Sequence, residues 1–468
     1  MRDLAGSNTS TPSRSNTAGL VSETRSGAPD AVGLLSWFVV LMIAIPSSLR
    51  VGALGGAGAP CALFAMLLIA YWAASRFASK SLGPADFQPL RVAIMFLVAA
   101  VLCSYIAAQS RHLMPDEGRS ADVSLLLIGA WSGVFLVAMD MIPSRERLDV
   151  LLRRLVAGAG ALATFGVIQF ITHQSYLNYF NNIPGLVNQV TNFSVGDRGG
   201  FTRPPGTTLH PIEFGAVLTM CLPVALHYAM CDTARSRVRR WYPVAAIAIA
   251  IPISVSRSAV VSTIVVLGIV MPTWAPRVRR RAVGVMVGLA LMLFLLVHGF
   301  LGTMIGLFTS AASDSSVTSR TGSFPLAATF VAHAPIFGRG FGTFLPAFRI
   351  FDDQYLGMVV ETGLVGLVAL LSLFMSGVFE GVRIYRQAIS SRDRSLGISL
   401  AASAASALVS FALFDAFSFP MSAILIFLLL GCLGALDRLT RADRRLGRDQ
   451  PAKPIASPMP QAPVKASV

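Results

Sequence analysis

The chain has 468 residues, 54% of them hydrophobic and 13% charged, with a mean hydropathy of +0.66. A soluble domain carries about 25% charged residues, so this composition excludes an ordinary water-soluble globule and places the chain in a lipid bilayer. The formal charge of +15 lies in short arginine clusters between apolar runs, not on a basic face, which argues against nucleic acid as a partner.

Residues 1–30 are polar, rich in Ser, Thr and Gly, and lack an apolar h-region. They read as a disordered cytoplasmic N-terminus with no cleavable signal peptide. Apolar runs of about 18–22 residues then recur, the length a helix needs to cross the hydrocarbon core. Candidate spans fall near 31–49, 58–74, 91–109, 121–142, 152–171, 208–230, 242–256, 258–274, 282–300, 355–378, 397–415 and 419–436. The seventh and eighth meet at SVSRSAVVS and can also be read as one broken helix. The expected fold is therefore all-α, a polytopic integral membrane protein of about 12 transmembrane helices, with its transmembrane domain over 31–436 and a basic, Pro/Ala-rich cytoplasmic tail over 437–468. The five cysteines, Cys61, Cys103, Cys221, Cys231 and Cys432, lie in or at the ends of apolar runs without metal-ligand spacing, and read as small core residues.

Arginine counting sets the expected orientation. With the N-terminus inside, alternate loops hold Arg76 and Lys80, then Arg145, Arg147, Arg153 and Arg154, then Arg235, Arg237, Arg239 and Arg240, then Arg277, Arg279, Arg280 and Arg281, then Arg383, Arg386, Arg392 and Arg394. Cytoplasmic loops carry such an excess, so both termini are expected in the cytoplasm, with the inside arginines anchoring loops to anionic headgroups. Two long loops, about 172–207 and 301–354, then face outward, and long loops in compact domains are usually functional.

Within the second loop, HAPIFGRGFGTF (residues 333–344) looks at first like a phosphate-cradling loop. It has no GK[ST] and no preceding strand, and it faces away from any nucleotide pool. Its glycines are expected to permit tight turns and close backbone approach.

Charges at outward membrane ends are costly and therefore informative. Arg203 lies in GGFTRPPGTTLHP, Arg257 in SVSRSAVVS and Arg320 in SSVTSRTGSF. Each is a capping or interfacial arginine or a ligand for an anion, and the guanidinium fork suits diphosphate oxygens. His210 at the start of the sixth span and His333 in the loop are structural hydrogen-bonders or proton carriers. Glu361, beyond Asp352 and Asp353, is either paired with an arginine or poised as a base, and Asp415 is a further partner. No HExxH, GxSxG or metal cluster is present in the sequence, so no metal or other cofactor is implied.

The segments FTRPPGTTLHPIEFGAVLTMCLPVAL, SVSRSA, SRTGSFPLAATFVAHAPIFGRGFGTF and DDQYLGMVVETGLVGLVAL occur in that order over about residues 200–380. In this the chain resembles the O-antigen ligase and Wzy-type polysaccharide polymerase family of inner-membrane proteins. The resemblance implies a glycosyltransferase-type enzyme in cell-surface polysaccharide assembly. It moves a glycan from a polyprenyl-diphosphate carrier to a glycan hydroxyl at the outer face of the cytoplasmic membrane. The implied partners are that donor, the acceptor glycan, membrane lipids, and a chain-length regulator or flippase. Carried over by motif, Arg203, Arg257 and Arg320 bind the diphosphate, and Asp352, Glu361 and His210 are the catalytic candidates. Ligases of the family tend to have histidine at the start of an HNxYL-like segment, whereas this chain has Asp352-Asp353-Gln354-Tyr355-Leu356, which resembles polymerase-like members. A secondary transporter or a lipid-linked glycan flippase is the alternative, although the two halves of the chain show no matching signal.

The orientation is testable. Cysteines introduced near 190 and 315 should react with a membrane-impermeant thiol reagent on intact cells, and cysteines near 237 and 388 should not. Labelling at 388 would reverse the topology.

Overall fold

In a bilayer a spanning segment must satisfy its own backbone hydrogen bonds, which leaves helices or closed barrels. The Ala-, Leu- and Val-rich runs of this chain take the first route. The computed structural model describes residues 30–78, 87–188, 196–198, 201–296, 299, 302, 305–306, 309 and 322–449. Its helices are α1 (Ala31–Ala44), α2 (Pro60–Ala78), α3 (Pro89–Gln109), α4 (Pro115–Met141), α5 (Arg145–Thr172), α6 (Pro211–Cys231), α7 (Arg237–Ile253), α8 (Arg257–Val270), α9 (Pro276–Leu296), α10 (Phe324–His333), α11 (Gln354–Gln387), α12 (Ser391–Phe411) and α13 (Pro420–Asp449).

The protein is thus all-α and polytopic. Each predicted span falls on a helix, and among the described residues eight helices, α2–α6 and α11–α13, are long and apolar enough to cross a membrane. The seventh and eighth spans are separate helices, broken at residues 254–256. The last helix runs past residue 436 because Asp437 is buried there and paired, at 2.7 Å each, with Arg383 and Arg441.

Helices α13 and α6 form the centre, with 94% and 89% of their most apolar windows buried, whereas α2 has only 17% buried and faces outward. Small residues let the backbones approach. A Cβ on Gly431 of α13 would lie 2.6 Å from the Phe135 carbonyl of α4, and one on Gly381 of α11 would lie 2.5 Å from the Gly397 carbonyl of α12. Hydroxyls join α12 to α6: Ser403 donates to the Met220 carbonyl at 2.7 Å, and Ser406 to Thr219 at 3.3 Å.

The two ends of the bundle differ. At one end, clustered arginines are held by carboxylates rather than left for headgroups alone. Arg145 reaches Asp149 and Asp393 at 2.5 Å, Arg392 reaches Asp149 at 2.9 Å, and Arg153 reaches Asp232 at 2.9 Å. The other end carries the long connections. There β1 (Leu49–Val51) pairs antiparallel with β2 (Leu186–Asn188), Leu49 opposite Asn188, and β3 (Gly196–Arg198) pairs antiparallel with β4 (Phe201–Arg203), Gly196 opposite Arg203.

The glycine-rich stretch has a specific place at this loop end. Helix α11 is broken at Gly363, with φ 67° and ψ −169°. In an unbroken helix the Leu364 and Val365 amides would donate to the Val360 and Glu361 carbonyls. Here they donate instead to the carbonyls of Pro335 (2.9 Å) and Ile336 (3.3 Å), while the two helix carbonyls accept from the amides of Arg339 (2.9 Å) and Gly340 (2.8 Å). Residues 335–340 are inserted into the gap in the helix. Gly338 and Gly363 face each other there, both at positive φ, and a Cβ on either would overlap the opposing backbone. The expected close backbone approach is present. Arg339 is structural: it and Arg111 pair with the buried Glu117, and its guanidinium lies 5.2 and 4.9 Å from the ring centres of Phe330 and Phe348.

Gly363→Ala should therefore be strongly destabilising. A left-handed conformation costs a non-glycine residue roughly 1–2 kcal/mol, and overpacking adds about 1–3 kcal/mol. Thermal unfolding in detergent should show a clear loss for Gly363→Ala and none for Gly129→Ala, where an added Cβ meets nothing within 4 Å.

Candidate functional site

Arg203 ends β4 and is 8% exposed. Its approach is fixed from below by Gln169 of α5. The Gln169 amide donates to the carbonyls of Ser175 (2.6 Å) and Gly206 (3.2 Å) and accepts from the Gly206 amide (2.8 Å). Held in this way, Arg203 donates through Nε to the Ser254 carbonyl at 3.1 Å. Ser254 closes α7. The next residue, Val255, has φ 46° and is fully buried. A β-branched residue in that region is a steric outlier, and such strain costs about 1–3 kcal/mol and clusters at functional sites. Two residues on, the half-buried Arg257 starts α8. The strained turn thus brings Arg203 and Arg257 to one place.

His210 caps α6, its Nδ1 accepting from the Ile212 amide at 3.2 Å. Burial, together with the charge of Arg203, pushes its pKa down to about 4, so the ring is neutral at pH 7. Glu213, in the first turn of the same helix and fully buried, accepts from the Leu209 amide (2.7 Å) and from the first amides of α13, Met421 (2.7 Å) and Ser422 (3.1 Å). A carboxylate suits those unpaired donors and the positive helix end. It ties the start of α6 to the start of α13 and so sets the level of the 412–419 connection.

That connection bridges the two halves of the site. Phe419 places its ring centre 6.1 Å from that of His210. The Phe417 amide donates to Gln354 at the start of α11, at 2.7 Å. In the same connection, Asp415 accepts from the Ser418 hydroxyl at 2.5 Å. Burial pushes the Asp415 carboxyl up to about 6, with the nearby charge of Asp352 adding to it against the Ser418 hydrogen bond. Asp352 precedes Asp353, whose carboxylate caps α11 by accepting from Tyr355 (2.9 Å) and Leu356 (3.3 Å). Glu361 lies two residues before the Gly363 break and accepts from the Phe344 amide at 3.2 Å. Among the described residues no arginine pairs with its carboxylate; its neighbours are backbone amides and the charge of Asp415.

The structure therefore sets His210 near Arg203, with Arg257 three residues past the carbonyl that Arg203 bonds, and sets Asp415 of the connection near Asp352 and Glu361. Arg320 lies outside the described residues. His333 is separate: exposed at the end of α10, with Nδ1 2.7 Å from the Thr329 carbonyl, it lines a cavity of about 670 Å³ with Arg111 and Arg339. Gln169, Glu213 and Gln354 position the site and were not picked out by sequence reasoning. An acidic residue in a first helical turn signals Glu213 locally, but its partners more than 200 residues away leave no mark in the sequence.

These features define a multi-pass helical membrane protein whose candidate site residues gather at the loop end of the bundle. Residues 242–371, a little over a quarter of the chain, match the sequence model of the O-antigen ligase family, and the match supports an O-antigen ligase family assignment. The matched segment contains Arg257, Asp352 and Glu361, and stops short of Arg203, His210 and Asp415. No curated protein matches the chain. The family match supports a membrane glycosyl-transferring enzyme in general.

Two titrations follow with opposite signs. His210 is neutral in the fold to about pH 4 but has a reference value of 6.5, so the unfolded chain binds more protons between these values and stability falls as pH drops from 6.5 to 4. Asp415 is raised from 3.8 to about 6, so the folded chain binds more protons there and stability falls as pH rises from 3.8 to 6. Thermal unfolding against pH should show His210→Asn, which keeps a capping group, resisting acid better than the parent. Asp415→Asn should gain stability above pH 6 and gain nothing below about pH 4.

Proposed function

We propose that the protein transfers a glycan from a polyprenyl-diphosphate carrier to a hydroxyl of an acceptor glycan, at the outer face of the cytoplasmic membrane, with both termini in the cytoplasm. The observation that carries this reading is Arg203 bound to the Ser254 carbonyl of the strained α7–α8 turn, from which Arg257 starts α8, with Asp415 of the 412–419 connection set near Asp352 and Glu361. The family match and the arginine pattern along the chain support it.

In this reading the glycosyl C1–O bond to the diphosphate breaks as the acceptor oxygen attacks. The leaving diphosphate gathers negative charge, and preorganised guanidinium groups stabilise that charge most where water is excluded. Arg203 and Arg257, with Arg320 as a third candidate, form the clamp. The acceptor hydroxyl must lose its proton, and a carboxylate within hydrogen-bond reach can take it. Asp352 is the preferred base, standing at the external start of α11, with Glu361 and Asp415 as the neighbouring carboxyl groups. Neutral His210 is the alternative proton acceptor. The carrier's polyprenyl chain lies along the lipid-facing side of the bundle. The Asp352-Asp353 sequence, in place of the ligase-type histidine, favours polymerase over ligase, so the donor and acceptor are both lipid-linked repeat units in the preferred form.

Purified protein in detergent, given a polyprenyl-diphosphate glycan, should elongate or transfer it. Arg257→Ala should lower the rate roughly 100- to 1000-fold, equivalent to about 2.7–4 kcal/mol, without loss of membrane insertion. Arg257→Lys should recover part of it, because a point charge lacks the bidentate fork. Full activity in Arg257→Ala would leave the arginine as a turn residue only. Asp352→Asn should lose most activity at unchanged abundance. In cells, deletion should leave single repeat units and no long chains if the enzyme is a polymerase. Full-length chains retained on the carrier would assign it as a ligase instead.

A further inference from the structure

Helix α9 stands off from the rest of the bundle. Apart from Leu293, its described side chains are exposed or only half-buried, and between it and α6, α7 and α8 runs a groove of about 830 Å³. From Arg240 to Pro252 on one wall and Arg281 to Phe294 on the other, it extends over about 18–20 Å at 1.5 Å per residue, roughly the depth of one leaflet and part of the next.

The lining is asymmetric along that length. Toward the loop end it is apolar except for Thr263, whose hydroxyl donates to the Ala259 carbonyl, and it closes where Leu293 and Leu289 pack on Val255 and Phe201. At the arginine-rich end it is bordered by Arg237, Arg240 and Arg281, with Trp241 and Trp274 beside them, and among the described residues no acidic side chain lines any part of it. Among the described residues none of these three arginines forms an ion pair, in contrast to Arg145, Arg153 and Arg392 at the same end. Among the described residues the Nε of Arg240 is buried without a hydrogen-bond partner, and a buried unsatisfied donor calls for an acceptor. Tryptophans at that level match the headgroup boundary, where their amphipathic rings settle.

We propose that this groove is a binding site for one anionic phospholipid of the leaflet facing the arginine-rich end. Its phosphate is held by Arg237, Arg240 and Arg281, and its acyl chains run between α9 and α6–α8. Basic pockets between membrane helices bind anionic headgroups through the same chemistry. The lipid completes the packing of α9, which the described side chains leave open. The phosphate-holding arginines lie at the opposite end of the bundle from Arg203 and Arg257, although the apolar end of the groove reaches the α7–α8 turn, and the site does not depend on the proposed reaction.

The full chain is purified in mild detergent, and its retained lipid is identified by native mass spectrometry and by extraction. The expected result is one phosphatidylglycerol-type lipid per chain. Added phosphatidylglycerol should raise the thermal midpoint of delipidated protein more than phosphatidylcholine of the same chains. The combined variant Arg237→Gln, Arg240→Gln, Arg281→Gln should weaken retention roughly 100-fold and erase the difference between the two lipids. Filling the groove by Ala248→Phe with Ala290→Phe should expel the lipid with the arginines intact. Equal stabilisation by the zwitterionic lipid, retention in the triple variant, or recovery of a polyprenyl phosphate in place of a phospholipid would each overturn the proposal.

Discussion

A helix that breaks inside an apolar bundle must have its freed amides and carbonyls bound, because the hydrocarbon offers nothing to bind them and each costs several kcal/mol. The break of α11 at Gly363 meets that constraint by taking residues 335–340 into the gap, with four backbone hydrogen bonds replacing the two that the helix gives up. The rest of the loop end depends on this insertion. It fixes Phe344, whose amide holds the Glu361 carboxylate. It places Arg339 on Glu117, joining the segment to α4 and to Arg111 of the α3–α4 connection. It also sets the height of the first turn of α11, where Asp352, Asp353 and Gln354 meet the 412–419 connection.

The second half of the site is held by a different device with the same logic. Glu213 occupies the unpaired amides at the start of α13, and Gln169 occupies the polar groups of the turn that follows Arg203. Both are buried polar side chains whose full hydrogen bonding fixes one arrangement of irregular backbone. Between these anchors the α7–α8 turn is strained at Val255. The surrounding packing holds a conformation that the residue itself disfavours, and the two arginines follow from it.

The helices were legible because hydrophobic length is a direct consequence of bilayer thickness; each predicted span lies on a helix, and the break at SVSRSAVVS was visible as a polar interruption. The close approach in GRGFGT was readable from its glycines. What the sequence could not supply was partnership across distance. Nothing local says that Gly338 faces Gly363, or that Glu213 serves amides more than 200 residues away. The clustered arginines illustrate the same limit. Their charge pattern suggests orientation, but that Arg145 is bound by Asp149 and Asp393 while Arg240 lacks an acid is a property of packing alone. Asp415 stood out only weakly, since its environment comes from burial and from Asp352, neither of which its flanking residues encode.

The inserted segment lies N-terminal to the helix that it interrupts, and this has a consequence for the order of assembly. Domains emerge from synthesis N-terminal part first, so residues 335–340 are made before Gly363. The loop closed between them is short and costs little entropy. The segment is therefore already present to cap the carbonyls of Val360 and Glu361 when the remainder of α11 forms, and α10 with the first half of α11 can mature as one local unit. Reversing the order, by circular permutation between residues 345 and 352, would leave the broken helix to enter the bilayer with two amides and two carbonyls bare.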